Sequence, residues 1–89
     1  MKNKNIEISF RTLFYCIQAL DGYIVEHIED INDRAKDDTE INELFRVLEH
    51  LNESARELKQ AYEEEAKTTI NYSPYEQLVT VHPKIINRE

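Results

Sequence analysis

Two long apolar stripes constrain this sequence more than any other feature. From Phe10 to Ile31 and again from Ile41 to Tyr62, an apolar residue recurs every three or four positions. This spacing is typical of amphipathic helices, because residues three and four apart share one helical face. A chain of 89 residues with one Gly and two Pro also contains few helix breakers. The pattern therefore predicts an all-α fold built on two long helices.

The first helix is predicted over about residues 8–35. Its stripe keeps the same phase through Asp21 and Gly22, so we interpret Gly22 as an interior helical residue rather than part of a turn. The N-terminal segment allows an alternative, because apolar residues alternate at Ile6, Ile8 and Phe10. Residues 4–10 could then form a short strand paired with residues 77–81, although a two-stranded ribbon is marginal unless it packs on a helix.

The second helix is predicted over about residues 40–67. Asp38 or Thr39 can accept hydrogen bonds from its free N–H groups, and the helix dipole favours Glu40 and Glu43 near its first turn. Its apolar positions alternate strictly between three and four, as in a coiled-coil seam. Because the connecting loop is short, the two helices are expected to form an antiparallel hairpin.

Residues 68–89 differ in composition from both helices. Ser73, Pro74 and Glu76 have the spacing of an N-cap, a first helical position and a capping box, which predicts a short helix. Pro83 and the β-branched residues before it then favour extended structure. This C-terminal tail contains too many apolar residues for a solvated terminus. We therefore expect residues 1–89 to form one helical-hairpin domain, with 68–89 as its docking segment.

The hairpin is expected to need a companion surface, because two helices cover only one side of each other's stripe. Phe14, Phe45 and Val47 on the flanks would remain exposed. The pattern therefore predicts a homodimer that forms a four-helix bundle. The predicted self-association seam comprises Phe10, Leu13, Ile17, Leu20, Ile24, Ile28, Ile31, Ile41, Leu44, Leu48, Leu51, Leu58 and Tyr62.

Charge and cysteine usage limit the partners and the compartment. The formal net charge is −7, and residues 37–67 hold four basic against ten acidic residues. This balance makes nucleic acid and an anionic membrane surface unlikely partners, since both require a basic footprint. No apolar stretch is long enough for a signal peptide or a membrane span, and Cys16 has no partner for an internal disulfide. The expected location is the cytoplasm.

No catalytic, metal-binding or cofactor motif is present. Cys16 flanks the first stripe and is predicted to be a small buried residue. His27 is predicted to be a hydrogen-bonded histidine of the core or an interface. Neither His27 nor His50 follows a glutamate at the spacing used in di-iron helical bundles. We therefore expect neither an enzyme nor a cofactor.

These features favour a small non-enzymatic protein that self-associates and binds a protein partner as a regulator, inhibitor or adaptor. The candidate partner-binding residues are Tyr72, Tyr75 and Leu78 of the tail and Glu49, Glu53 and Glu57 of the second helix. Two alternatives remain at this level. The acidic helix could imitate nucleic acid and inhibit an enzyme, or the chain could be a chaperone-like subunit completed by a different chain.

Overall fold

The computed structural model describes residues 8–35, 37–68 and 72–86 of the chain. It contains helix α1 (Phe10–Asp33), helix α2 (Ile41–Ala66) and a single 3₁₀ turn (Tyr75–Gln77), with no strand among those residues. The two long helices pack against each other. The prediction of an all-helical hairpin is thus confirmed.

Helix α1 begins at Phe10 because Ser9 caps it. The Ser9 hydroxyl oxygen accepts a hydrogen bond from the backbone N–H of Thr12 at 3.0 Å, which satisfies one of the free donors of the first turn. The alternative strand over residues 4–10 falls mostly on residues 1–7, which lie outside the described residues. Its proposed partner, residues 77–81, is not a strand.

The loop before α2 is ordered by Asp38 and Arg34. The Asp38 carboxylate accepts from the backbone N–H of Glu40 at 2.8 Å, and the Asp38 carbonyl accepts from Ile41 N–H. The predicted capping of α2 by Asp38 or Thr39 is wrong, because Glu40 occupies the N-cap position and no side chain caps the helix. The Asp38 carboxylate orders the turn before the helix instead. The backbone bond from Glu40 and the guanidinium of Arg34, 3.0 Å away, hold the pKa of Asp38 below its usual value.

The core lies along the contact between the two helices and divides into two clusters. Near the loop, Ile24, Ile28, Ile31, Ile41 and Leu48 are buried together. Near the open end of the hairpin, Leu13, Ile17, Tyr62 and Leu78 form the second cluster. The Phe10 ring stacks on Tyr62 with ring centroids 4.8 Å apart, so the start of α1 meets the end of α2. The hairpin is therefore antiparallel.

Residues 72–86, called the strap below, fold back along the hairpin. The predicted capping box at Ser73 is wrong. Pro74 precedes the 3₁₀ turn, no side chain caps it, and the Pro74 carbonyl accepts from Gln77 N–H at 2.9 Å. The Ser73 carbonyl instead accepts the hydroxyl of Tyr62. The turn stops after three residues, and the strap continues without regular structure to Ile86.

The prediction that Cys16 is buried is also wrong, since its side chain is exposed. Cys16 lies one position before the buried Ile17, and this shift of about 100° around the helix axis is enough to turn it away from the core.

Candidate functional site

Asp21 is a carboxylate buried in the middle of α1, with 6% of its surface exposed. Its Oδ2 accepts hydrogen bonds from the Thr80 backbone N–H at 3.0 Å and from the Thr80 hydroxyl at 2.8 Å. Its Oδ1 lies 2.6 Å from Nε2 of His82. A buried carboxylate is costly unless its oxygens are hydrogen-bonded. Asp21 therefore fixes the strap to the hairpin.

The surroundings of Asp21 favour its ionised form. Burial alone would raise the pKa of the carboxyl group, but the hydrogen bonds from His82 and Thr80 outweigh it and lower the pKa below 3.8. At neutral pH the site therefore contains a carboxylate whose two oxygens are both engaged by the strap.

Asn32 provides a second attachment near the end of α1. Its side-chain amide donates to the carbonyl of Lys84 at 2.9 Å, and its amide oxygen accepts from the backbone N–H of Ile86 at 2.8 Å. Both bonds involve strap backbone groups that would otherwise be unpaired in an irregular segment. Asn32 thus replaces the hydrogen bonds that a neighbouring strand would supply.

The spacing of these two attachments fits an extended strap. Asp21 and Asn32 are three helical turns apart, which is about 16 Å along α1. An extended chain covers about the same length in the five residues from Thr80 to Ile85. A helical strap over the same residues would span less than half that distance. The two side chains of α1 therefore select the extended conformation of residues 80–86.

The beginning of the strap is held by aromatic and apolar contacts. Leu78 is buried in the cluster that contains Tyr62, and Tyr75 lies 6.4 Å from Tyr62 between ring centroids. Burial raises the pKa of the Tyr62 hydroxyl, so this group stays protonated and donates to the Ser73 carbonyl. Tyr62 thus anchors the strap before it reaches Asp21.

A groove remains open between α2 and the strap. It has a volume of about 380 Å³ and reaches down to the contact between the helices. Its apolar surface comes from both helices and the strap: Ile17, Leu20, Ile24, Ala55, Leu58 and Val79. Arg56 and Lys59 of α2 lie on one side of the groove, and Asp21 and His82 lie on the strap side.

The opposite face of the hairpin, called the uncovered face below, has no strap over it. Helical periodicity of about 100° per residue places Cys16 and Tyr23 away from the side on which Asp21 and Asn32 bind the strap. The same geometry places Val47, Leu51, Ser54 and Ala61 on this face of α2. Val47 and Leu51 are only half-buried.

The predicted seam residues divide into two groups. Leu13, Ile17, Ile24, Ile28, Ile31, Ile41, Leu48 and Tyr62 are buried within this chain. Phe10, Leu20, Leu44, Leu51 and Leu58 are half-buried. The first group therefore packs the hairpin itself, whereas the second group borders its surface.

The candidate partner-binding residues are also separated in space. Tyr72 is exposed, Tyr75 is half-buried and Leu78 is buried against the hairpin. Glu49, Glu53 and Glu57 are all exposed on α2, with no ion pair among the described residues. His27 is half-buried, with Nε2 at 2.8 Å from the Leu44 carbonyl, in agreement with its predicted hydrogen bond.

The part of the chain that the structure describes contains neither a metal-binding cluster nor a membrane-spanning helix. No three His, Cys, Asp or Glu side chains there come together in a way that could hold a metal ion. Neither long helix in this part combines the length and apolar content that crossing a membrane requires.

Sequence reasoning missed the residues that attach the strap: Asp21, Asn32, Thr80 and His82. One signal was available, because Ile17, Asp21, Ile24 and Ile28 follow the three-four spacing of the buried face. A carboxylate on that face requires buried donors, but the sequence does not say where along the chain they lie. Comparisons with protein-family models, with curated proteins and with solved structures give no match for this chain.

Proposed function

We propose that this chain is a small non-enzymatic helical protein that pairs with a second copy and binds a protein partner as a regulator or adaptor. The observation that carries the proposal is the uncovered face of the hairpin. Val47 and Leu51 are half-buried there, and Tyr23 is 52% exposed. Burial of such side chains contributes about 25 cal/mol per Å² of apolar surface.

A second copy suits the uncovered face better than a larger partner. The face lies along two antiparallel helices, and packing it on its own copy produces a four-helix bundle with an isologous interface. Small residues at Cys16, Ser54 and Ala61 lie between the larger apolar side chains. They allow the leucines of the other copy to pack between them.

The strap offers a separate surface for a protein partner. Val81 is 97% exposed and Ile86 is 74% exposed, although both are β-branched apolar residues. Tyr72 is exposed at the start of the same segment. Aromatic and apolar residues that project from a fixed backbone are typical of interaction surfaces. We therefore assign partner binding to the outer side of the strap.

Light scattering coupled to gel filtration tests the pairing. The wild-type chain should elute with twice its mass of 10.6 kDa. Ser54→Arg should yield a monomer, because it puts a charge at the centre of the uncovered face. Gln60→Arg is the matched control, since Gln60 is also exposed on α2 but points away from that face. A wild-type monomer at tens of micromolar would refute the pairing.

A further inference from the structure

The groove between α2 and the strap is built like a small-molecule site. Its volume of about 380 Å³ falls within the range of roughly 300–1,000 Å³ that is common for such sites. Apolar side chains from α1, α2 and the strap converge on it, including Ile24, Leu58 and Val79. A ligand with an apolar body would therefore bury that body against three elements of the fold.

The polar side of the groove is basic although the protein is acidic. Among the basic residues of α2, Arg46 pairs with Glu43 at 3.1 Å and Lys67 pairs with Glu64 at 3.3 Å. Those two side chains lie outside the groove.

Arg56 and Lys59, the other basic residues of α2, line the groove and form no ion pair among the described residues. Lys59 only approaches the ring of Tyr75, with its Nζ 5.4 Å from the centroid. Glu53 and Glu63 lie one turn away along the helix, where ion pairs with these cations would be possible. The groove thus offers two unneutralised cations beside an apolar surface.

We propose that this groove binds a small amphipathic anion, such as a medium-chain alkyl carboxylate. The alkyl chain lies against Leu20, Ala55 and Leu58, and the anionic head lies between Arg56 and Lys59. These two residues are three positions apart, so their side chains project from neighbouring points on the helix and can reach one head group.

Asp21 also lines the groove, and its carboxylate would repel an anionic head placed beside it. Its Oδ2 is bound by Thr80 and its Oδ1 by His82 on the strap side. After burial, the negative charges of Asp21, Glu63 and Glu76 contribute to a raised pKa of the Tyr75 hydroxyl. The anionic head therefore lies towards Arg56, away from these residues.

Ligand binding should also hold the strap in place, because Tyr75 and Val79 form part of the groove. A ligand that contacts both the helices and the strap binds only the docked state. It therefore shifts the equilibrium between docked and open strap towards docking. Slower amide exchange of the strap is a readout that adsorption to an outer surface would not produce.

Calorimetric titration with sodium decanoate, below its micelle concentration, tests the proposal. We expect saturable binding of one decanoate per chain, and decyltrimethylammonium, with the same chain but a cationic head, should not bind. The double variant Arg56→Glu/Lys59→Glu should weaken decanoate binding at least about tenfold. Arg46→Glu is the control, because it makes the same charge change on α2 outside the groove and should leave binding unchanged.

Ala55→Leu gives an independent test, since Ala55 lines the groove and leucine is well tolerated in helices. The larger side chain should occupy part of the apolar surface of the groove and weaken decanoate binding, while circular dichroism shows an intact helical fold. Equal binding of both detergents, unchanged binding in the Arg56→Glu/Lys59→Glu variant, or unchanged binding in Ala55→Leu would each overturn the proposal. The proposal would also be overturned if decanoate did not slow amide hydrogen exchange at Thr80.

Discussion

At the scale of single residues, Asp21 is the polar side chain that is buried among the described residues. It accepts hydrogen bonds from two residues that are 59 and 61 positions away in sequence. Removing one partner from a buried, charged hydrogen bond leaves the other groups unsatisfied, which is more costly than losing a surface contact. The contribution of the Asp21 charge to the free energy of unfolding can be measured with Asp21→Asn, because asparagine has nearly the same shape as aspartate.

Asp21→Asn should lower the free energy of unfolding by about 1–3 kcal/mol at pH 7, because asparagine loses the charge and directs an NH₂ group at a donor. Urea unfolding measures the change. Asp33→Asn is the control, since Asp33 is an exposed aspartate of the same helix. A decrease no larger than that of the control would contradict the role assigned to Asp21.

The loss of stability caused by Asp21→Asn should depend on pH. The pKa of Asp21 is lowered in the folded chain from 3.8, so its stabilising contribution is complete above that pH and is lost as the pH falls through the lowered pKa. The stability difference between wild type and Asp21→Asn should therefore shrink on acidification from pH 5 to pH 2. A difference that is constant over this range would mean that the carboxylate charge is unimportant.

Gly22 is a position at which a substitution should raise the free energy of unfolding. It lies inside α1, and a Cβ at this position would meet no atom within 4 Å. Gly22→Ala should therefore stabilise the chain by up to about 1 kcal/mol, because alanine has the higher helix propensity and restricts the unfolded chain. Thermal unfolding followed by circular dichroism tests this, and a lower melting temperature would indicate that another molecule packs closely on Gly22.

At the scale of elements, the sequence predicted the helices well and the strap poorly. The bounds of α1 and α2 lie within two residues of the predicted ones, because apolar stripes of this length have only one periodic interpretation. The strap depends on tertiary contacts that no local pattern encodes. The Tyr62 hydroxyl donates a hydrogen bond to the Ser73 carbonyl, and Leu78 is buried in the core. These tertiary contacts override the local capping signal at Ser73 and Glu76.

The two attachments of the strap should act separately, since Asp21 and Asn32 contact different parts of it. Asn32→Ala should increase amide hydrogen exchange at Ile86 while exchange at Thr80 stays slow. Asp21→Asn should increase exchange at Thr80. Equal acceleration at both amides in the Asn32→Ala variant would mean that residues 80–86 are released as one unit.

At the scale of the whole molecule, a chain of 89 residues buries a limited core, so pairing with a second copy would add to its stability. If two copies pair through the uncovered face, the melting temperature should rise with protein concentration by mass action. Calorimetry between about ten and several hundred micromolar tests this expectation. Ser54→Arg should remove the dependence on concentration, and Gln60→Arg should keep it. A wild-type melting temperature that is independent of concentration would argue against the dimer.

The long sequence separation between Asp21 and its partners on the strap has a kinetic consequence. Local helical contacts form quickly, whereas contacts between distant residues form only after a costly loop closure. The hairpin should therefore assemble first and the strap should dock in a later step. During that interval the apolar groove is open to solvent along its full length, and the newly formed hairpin is then most prone to aggregate with other copies.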